Sequence, residues 1–406
     1  MTRPQARAFA LTWVSYASYY ATRKNLSVVK SRLDDEFGIG VGWLGAIDTA
    51  YLVAYAAGQF ANGALGDRFG ARRLIAFGML LSAGMSAAFG ASSSAWLFLI
   101  AFGANGVFQA TGWPNNVKTM GNWFGRGVRG RVMGIWSTNY QLGGLVATAA
   151  AAFLLTHYGW RSAFFVPAAW TAGVGLLVLF LLVEKPGDVG IAAPQASADP
   201  VASSTDPVRS PFGDMVRQPS LWILGGSYFG LKLIRYSLLF WLPFFLTRQL
   251  GYEPGTAGYL STAFEAGGIA GALAVGWAAD RWFAANPLRI VVPVLLGLAG
   301  ALLALRVVAP LGTAGVVVGL AAIGFLLFGP DTLISGAAAQ NLGGGRSTAS
   351  AAGIINGLGS MGAVCQGFLT ATIAESWGWD ALFLVFVAVS VVSAAALLSL
   401  AWKREF

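Results

Sequence analysis

The chain alternates long apolar runs with short polar or glycine-rich breaks, and that alternation constrains its fold more than any single motif. A helix that crosses a bilayer needs about 20 predominantly apolar residues. Twelve stretches meet that requirement, at 7–29, 43–65, 73–91, 94–116, 131–154, 161–183, 219–247, 256–279, 289–308, 312–335, 347–373 and 379–402. Of the 406 residues, 56% are hydrophobic and only 11% charged, a balance that excludes an ordinary soluble domain. The expected class is an all-α polytopic membrane protein. Its first run lacks the small-residue cleavage site of a signal peptide and passes straight into charged residues, so it is expected to remain a transmembrane helix.

Charge adds an orientation. Lysine and arginine collect on the cytoplasmic side of bilayer proteins, and a cytoplasmic N-terminus puts 17 of the 26 there. Only five, Lys30, Arg32, Arg161, Arg248 and Arg306, then fall on the opposite side. Both termini are therefore expected to be cytoplasmic, with the bacterial inner membrane as the expected location, and the net charge of +9 needs no nucleic acid to explain it. Cys365 is the single cysteine and His157 the single histidine, so neither an intramolecular disulfide nor a cysteine and histidine metal site is expected. No cofactor is implied. His157 is placed in a short external turn after the fifth span.

Residues 184–218 are rich in proline, serine and aspartate without an apolar period, which predicts a cytoplasmic linker between an N-terminal half, 1–183, and a C-terminal half, 219–406. The halves repeat weakly. "GALGDRFGARR" is echoed by "GWAADRWFAANPLR", with Asp67 and Asp280 213 residues apart. "YGWRSAFFV" is echoed by "WGWDALFLV", with Trp160 and Trp379 219 apart. Arg23 and Arg235, 212 apart, fall on equivalent first and seventh helices. Parallel six-helix repeats about an axis along the membrane normal are the plan of the major facilitator fold. The stretch 63–73 also resembles that superfamily's loop motif, in which a glycine, an aspartate and a basic cluster brace neighbouring helix ends. Asp67, Arg68 and Asp280 are accordingly expected to serve gating.

Seven ionisable residues fall within spans: Arg23, Lys24, Lys232, Arg235, Asp48, Glu265 and Asp331. A charge at bilayer depth costs about 2.5–3.5 kcal/mol on insertion scales, so function is its default reading. Lys232 and Arg235 are three apart and share a helix face, whereas Arg23 and Lys24 point about 100° apart. An arginine from each half would suit a doubly charged oxyanion, because planar guanidinium groups donate parallel hydrogen bonds to phosphate oxygens. The competing readings are that Lys24 snorkels to headgroups and that Lys232 is neutralised by an acid such as Asp331. Asp48 and Glu265 sit in equivalent second and eighth helices, as a proton relay, a gating pair or a plain helix contact.

Three stretches carry a closer resemblance. "YYATRKNLSVVKSRL" (19–33), "TGWPNNVKTMGNWFGRGVRGRVMGIW" (111–136) and "LKLIRYSLLFWLPFF" (231–245) resemble the organophosphate:phosphate antiporters of the major facilitator superfamily, over nearly the whole chain. Within the family the sugar-phosphate exchangers are the nearest in kind, with glycerol-phosphate and hexose-phosphate transporters next. The resemblance implies phosphate-binding arginines at Arg23 and Arg235, and Tyr16, Tyr20, Trp113 and Trp136 lining the cavity. It also implies departures: Tyr140 stands where bacterial relatives carry a histidine, Gln59 for a lysine, Lys232 for a tyrosine, and Phe328 and Ser360 for tyrosines. Glu265 matches a family glutamate, which favours a gating ion pair. The phosphate clamp is retained and the pocket for the organic part is rebuilt.

The expected function is therefore exchange of an organic phosphate, a sugar phosphate first among candidates, for inorganic phosphate by alternating access, in a lipid-embedded monomer. A proton-coupled symporter for a phosphonate or other small anion, with Glu265, Asp48 or Asp331 as the proton carrier, and a transporter-like sugar-phosphate receptor stand as alternatives. No nucleophile, base and orienter cluster, so an enzyme is not expected.

Overall fold

The structure, a computed structural model, describes residues 1–124, 132–133, 135–136, 138–191, 217–283, 286–338 and 348–402. The side chains of Asp67 and Asp280, the cations Arg126, Arg129 and Arg131, and linker residues 192–216 lie outside the described set. Everything regular among the described residues is helical. Seven helical stretches there, from Ala71–Ala91 to Ile354–Ala401, are long and apolar enough to cross a membrane by length and composition.

The chain divides into two compact units, Met1–Ser204 with Tyr252–Gly258, and Thr205–Gly251 with Tyr259–Phe406. In the first, α1 (Arg3–Tyr19) opens on a Thr2 cap whose hydroxyl accepts from the Gln5 backbone while Gln5 returns a bond to Thr2, with Pro4 in the first turn. It runs into α2 (Ala21–Phe37) through Tyr20, whose backbone is helical at φ −68° and ψ −26°. Gly38, at φ +59°, stops α2 in the left-handed conformation that glycine adopts most cheaply. There follow α3 (Gly40–Phe69), α4 (Ala71–Ala91), α5 (Ala95–Gln109), α6 (Gly112–Trp123), α7 (Thr138–Tyr158) and α8 (Ser162–Leu181). Helix α3 packs on α5, α4 on α8 and α2 on α7. His157 is placed by the structure inside the last turn of α7 rather than in the turn after it, exposed, with Nδ1 2.9 Å from the Phe153 carbonyl.

The second unit holds α9 (Pro219–Leu250), α10 (Pro254–Trp282, from Tyr259 onward), α11 (Leu288–Val308), α12 (Thr313–Leu333) and α13 (Thr348–Ala401). The last is 54 residues long, more than twice what about 30 Å of hydrocarbon requires, and it breaks at Gly378, whose φ is +81°. The glycines of "EAGGIAGALAVG" allow α10 and α12 to touch backbone to backbone. A Cβ on Gly267 would fall 2.1 Å from the Ala321 carbonyl oxygen, and one on Gly271 2.0 Å from that of Phe325. Such approach lets dispersion hold two helices together where lipid supplies no hydrophobic drive.

Candidate functional site

Tyr16, Arg23 and Lys30 are spaced by sevens, close to two helical turns, so the continuous α1–α2 rod presents them as one stripe. Opposite runs the α3 stripe Asp48, Tyr51 and Tyr55. The two stripes mesh as antiparallel ladders: Lys30 pairs with Asp48, the Arg23 guanidinium lies over Tyr51 and Tyr55 at 5.8 and 4.8 Å, and the Tyr16 hydroxyl is 3.5 Å from that of Tyr55. Tyr20 covers Arg23 at 4.6 Å. The stacked rings stabilise the cation by their quadrupoles while keeping water off it.

Lys30 was counted among the external charges beyond the first span, and the structure shows it buried rather than solvated. Its side chain and that of Asp48 are both 0% exposed. Helix α2 continues past the end of the apolar run, and the ion pair satisfies a charge that hydropathy alone pushes into water. Asp48 is thus held by a cation, the ion-pair reading among those left open.

Arg23 rests on neutral polar groups from α5. Its Nε donates to Gln109 Oε1 at 2.9 Å, and the Tyr51 hydroxyl donates to the same oxygen at 2.8 Å. Gln109 Nε2 in turn donates to Thr22 Oγ1 at 3.0 Å, and Ser82 Oγ donates to Asn105 Oδ1 at 2.6 Å. Asn105 Nδ2 donates back to the Thr22 carbonyl at 2.9 Å. The amide is therefore oriented from both ends. Arg23 Nη2 is buried and has no hydrogen-bond partner among the described residues. A buried charged donor left unmade costs about 1–3 kcal/mol or more, which an acceptor reaching this atom would relieve. Gln109, Tyr51, Tyr55, Asn105 and Thr22 were not foreseen; the signal lay in "ANGVFQ", where two amides four apart interrupt an apolar helix.

Trp113 and Trp136 stand beside Tyr16, with ring centroids 5.2 and 5.8 Å away. Trp136 is fully buried, and its indole donates to Thr12 Oγ1 at 3.1 Å, so it backs the ring cluster. Tyr140 packs on the same core. Lys24 is buried next to Arg23, and Gln59 is half-buried one turn beyond Tyr55. A groove lined by Trp13, Val14, Ala21, Val146, Leu154 and Trp170 carries no charged side chain and offers an anion nothing.

In the second unit, Arg235 Nη1 donates to Asp331 Oδ2 at 2.5 Å, and Lys232 Nζ lies 3.8 Å from Asp331 Oδ1. One carboxylate thus faces two cations. The guanidinium is seated on Phe328 at 4.2 Å, and Phe328 abuts Phe264 with centroids 5.5 Å apart. Lys232 lies over Tyr228 and Tyr236 at 5.1 and 5.5 Å. Glu265, next to Phe264 in α10, is buried. The acid suggested for Lys232, Asp331, is placed against it by the structure. Asp331 follows Pro330 near the end of α12, where the helix widens into a π turn over Ile334–Ala338. Such turns recur at functional positions.

The basic loop between α3 and α4 braces helix ends. Gly70 turns at φ +88°, the Arg72 amide donates to Glu184 at 2.9 Å, and Lys118 donates to the Gly66 carbonyl at 3.1 Å. Arg68 is exposed beside the Phe69 ring.

The profile of the Major Facilitator Superfamily matches residues 12–364. Among curated proteins, the chain is 31% identical to a glucose-6-phosphate exchanger of Mus musculus, over 97% of this chain and 91% of that one. It is 29% identical to sugar phosphate exchanger 3 of Homo sapiens, over 93% and 89%. Among solved structures, a bacterial homolog of the human lysosomal transporter Spinster in an inward-facing, occupied conformation superposes with a TM-score of 0.79 at 16% identity, covering 100% of this chain and 99% of that one.

Proposed function

From a chain that belongs to the major facilitator superfamily, we propose a secondary transporter that exchanges an organic phosphate, a sugar phosphate first, for inorganic phosphate by alternating access. Family membership makes it a multi-pass membrane transporter rather than an enzyme. The observation that carries the substrate reading is Arg23: a buried guanidinium fixed by Gln109, walled by tyrosines, with Nη2 left for an external acceptor. Phosphate oxygens suit it in charge and in fork geometry.

Arg23 and Arg235 bind the phosphate, Lys232 and Lys24 add charge, and Tyr16, Tyr20, Trp113, Trp136, Tyr140 and Gln59 shape the space for the organic part. Asp67, Arg68, Glu265 and Asp280 serve gating, over twelve spans in two six-helix halves, 1–183 and 219–406, with both termini cytoplasmic. A single chain in lipid suffices. Proteoliposomes loaded with unlabelled phosphate test this: they should accumulate labelled phosphate by exchange, and glucose 6-phosphate outside should inhibit it. No exchange from a folded protein would sink the reading, and uptake into phosphate-free vesicles that collapses with a protonophore would replace it with proton symport.

A further inference from the structure

The two arginines are not in the same electrostatic state. Arg23 meets only neutral groups among its described hydrogen-bond and ring partners, whereas Arg235 and Lys232 share Asp331. The hold of that carboxylate is lopsided. Oδ2 makes one short bond to Arg235, while Oδ1 is buried with no hydrogen-bond partner among the described residues and stands beyond hydrogen-bond reach of Lys232. A carboxylate offers about four lone-pair sites, and a phosphate brings more oxygens and up to two charges to the same cations.

A second buried pair in the molecule shows what a permanent lock looks like. Lys30 and Asp48 are each 0% exposed, whereas Lys232, Arg235 and Asp331 are 17%, 11% and 9% exposed. The second cluster keeps some exposure and the first keeps none. Asp331 also sits beside Pro330, which removes one backbone donor, and just before the π turn, so the regular hydrogen-bond ladder is interrupted on both sides of it.

We propose that Asp331 is a tethered competitor for the Arg235 end of the phosphate site: its carboxylate holds Arg235 and Lys232 between substrate visits, yields to the incoming phosphate, and retakes the cations as the phosphate leaves. This rests on the phosphate-exchange reading above and deepens it. Compensating the cations between visits weakens resting affinity and speeds release. Asp331 is a positioning residue; it acts through Arg235 and Lys232 rather than by touching substrate.

The test compares wild type, Asp331→Asn and Asp331→Glu in detergent and in proteoliposomes, with inorganic phosphate as the probe. Asparagine should bind phosphate about tenfold more tightly and turn over more slowly in saturating phosphate exchange, since a competing charge of this kind is worth about one decade. Glutamate should restore wild-type affinity and exchange turnover. Should the asparagine chain not fold, Asp331→Ser removes the same charge with less bulk and is read identically. Phosphate affinity that is unchanged or weaker in the folded neutral variant overturns the proposal while exchange by wild type stands. A wild type that neither binds nor exchanges phosphate overturns the exchange reading instead.

Discussion

The N-terminal and C-terminal arginine sites are built on repeated positions and manage charge in opposite ways. Tyr51 and Phe264 are 213 residues apart, the offset of Asp67 and Asp280, and Gln109 and Phe328 are 219 apart, the offset of Trp160 and Trp379. In the first unit Tyr51 donates to Gln109, which receives Arg23; in the second Phe264 packs on Phe328, which seats Arg235. The repeat preserves the contact and exchanges its chemistry. Where polar acceptors are absent, the counter-charge comes from Asp331, at the position that Gly112 holds in the first unit, again 219 residues earlier. One site holds its arginine on neutral groups, and the other holds it on an anion of its own.

The largest expected effect contrasts the two acids. Asp48→Asn takes the counter-charge away from a Lys30 ammonium that is 0% exposed, which should cost about 3–5 kcal/mol and show as a strong fall in melting temperature in detergent. Asp331→Asn leaves cations that retain some access to solvent, and should cost about 1–2 kcal/mol at most after allowance for screening. Equal losses would break the division into a locked pair and a displaceable one.

Next comes the pair of arginines. In Arg23→Lys no single ammonium can hold Gln109 and reach the phosphate from the place of Nη2, so exchange should fall about 100-fold. Arg235→Lys keeps a cation beside Asp331 with Lys232 one turn away, and about tenfold is expected. Phosphate self-exchange rates in proteoliposomes decide it, and equal losses would mean that the two sites share the substrate evenly.

Much of this was legible because symmetry can be read without coordinates. The offset of 212 singled out Arg23 and Arg235 from the other cations, and the glycines of "EAGGIAGALAVG" announced close helix contact. The burial of Lys30 was not foreseen because a hydropathy count ends a span at the first cluster of charges, and a buried pair with Asp48 leaves no local trace. Gln109 and Tyr51 escaped for a different reason. A neutral amide or phenol in an apolar helix is compatible with packing alone, and only the position of Arg23 across the bundle makes it an acceptor or a wall.

The smallest effect tests the comparison most finely. Tyr51→Phe gives the first unit the residue that the second already has at Phe264, keeping the ring against Arg23 and removing the hydroxyl that donates to Gln109. One neutral hydrogen bond is worth about 1 kcal/mol, so phosphate should bind about fivefold more weakly with little change in melting temperature. Phe264→Tyr, by contrast, adds a hydroxyl facing Phe328, which has nothing to accept it, and gains no affinity. Phosphate binding by the two variants, measured by calorimetry, separates a hydroxyl that orients the receptor amide from one that merely occupies a repeated position. If Tyr51→Phe binds phosphate as wild type does, Arg23 is held by its rings and not by Gln109, and the two sites differ only in Asp331.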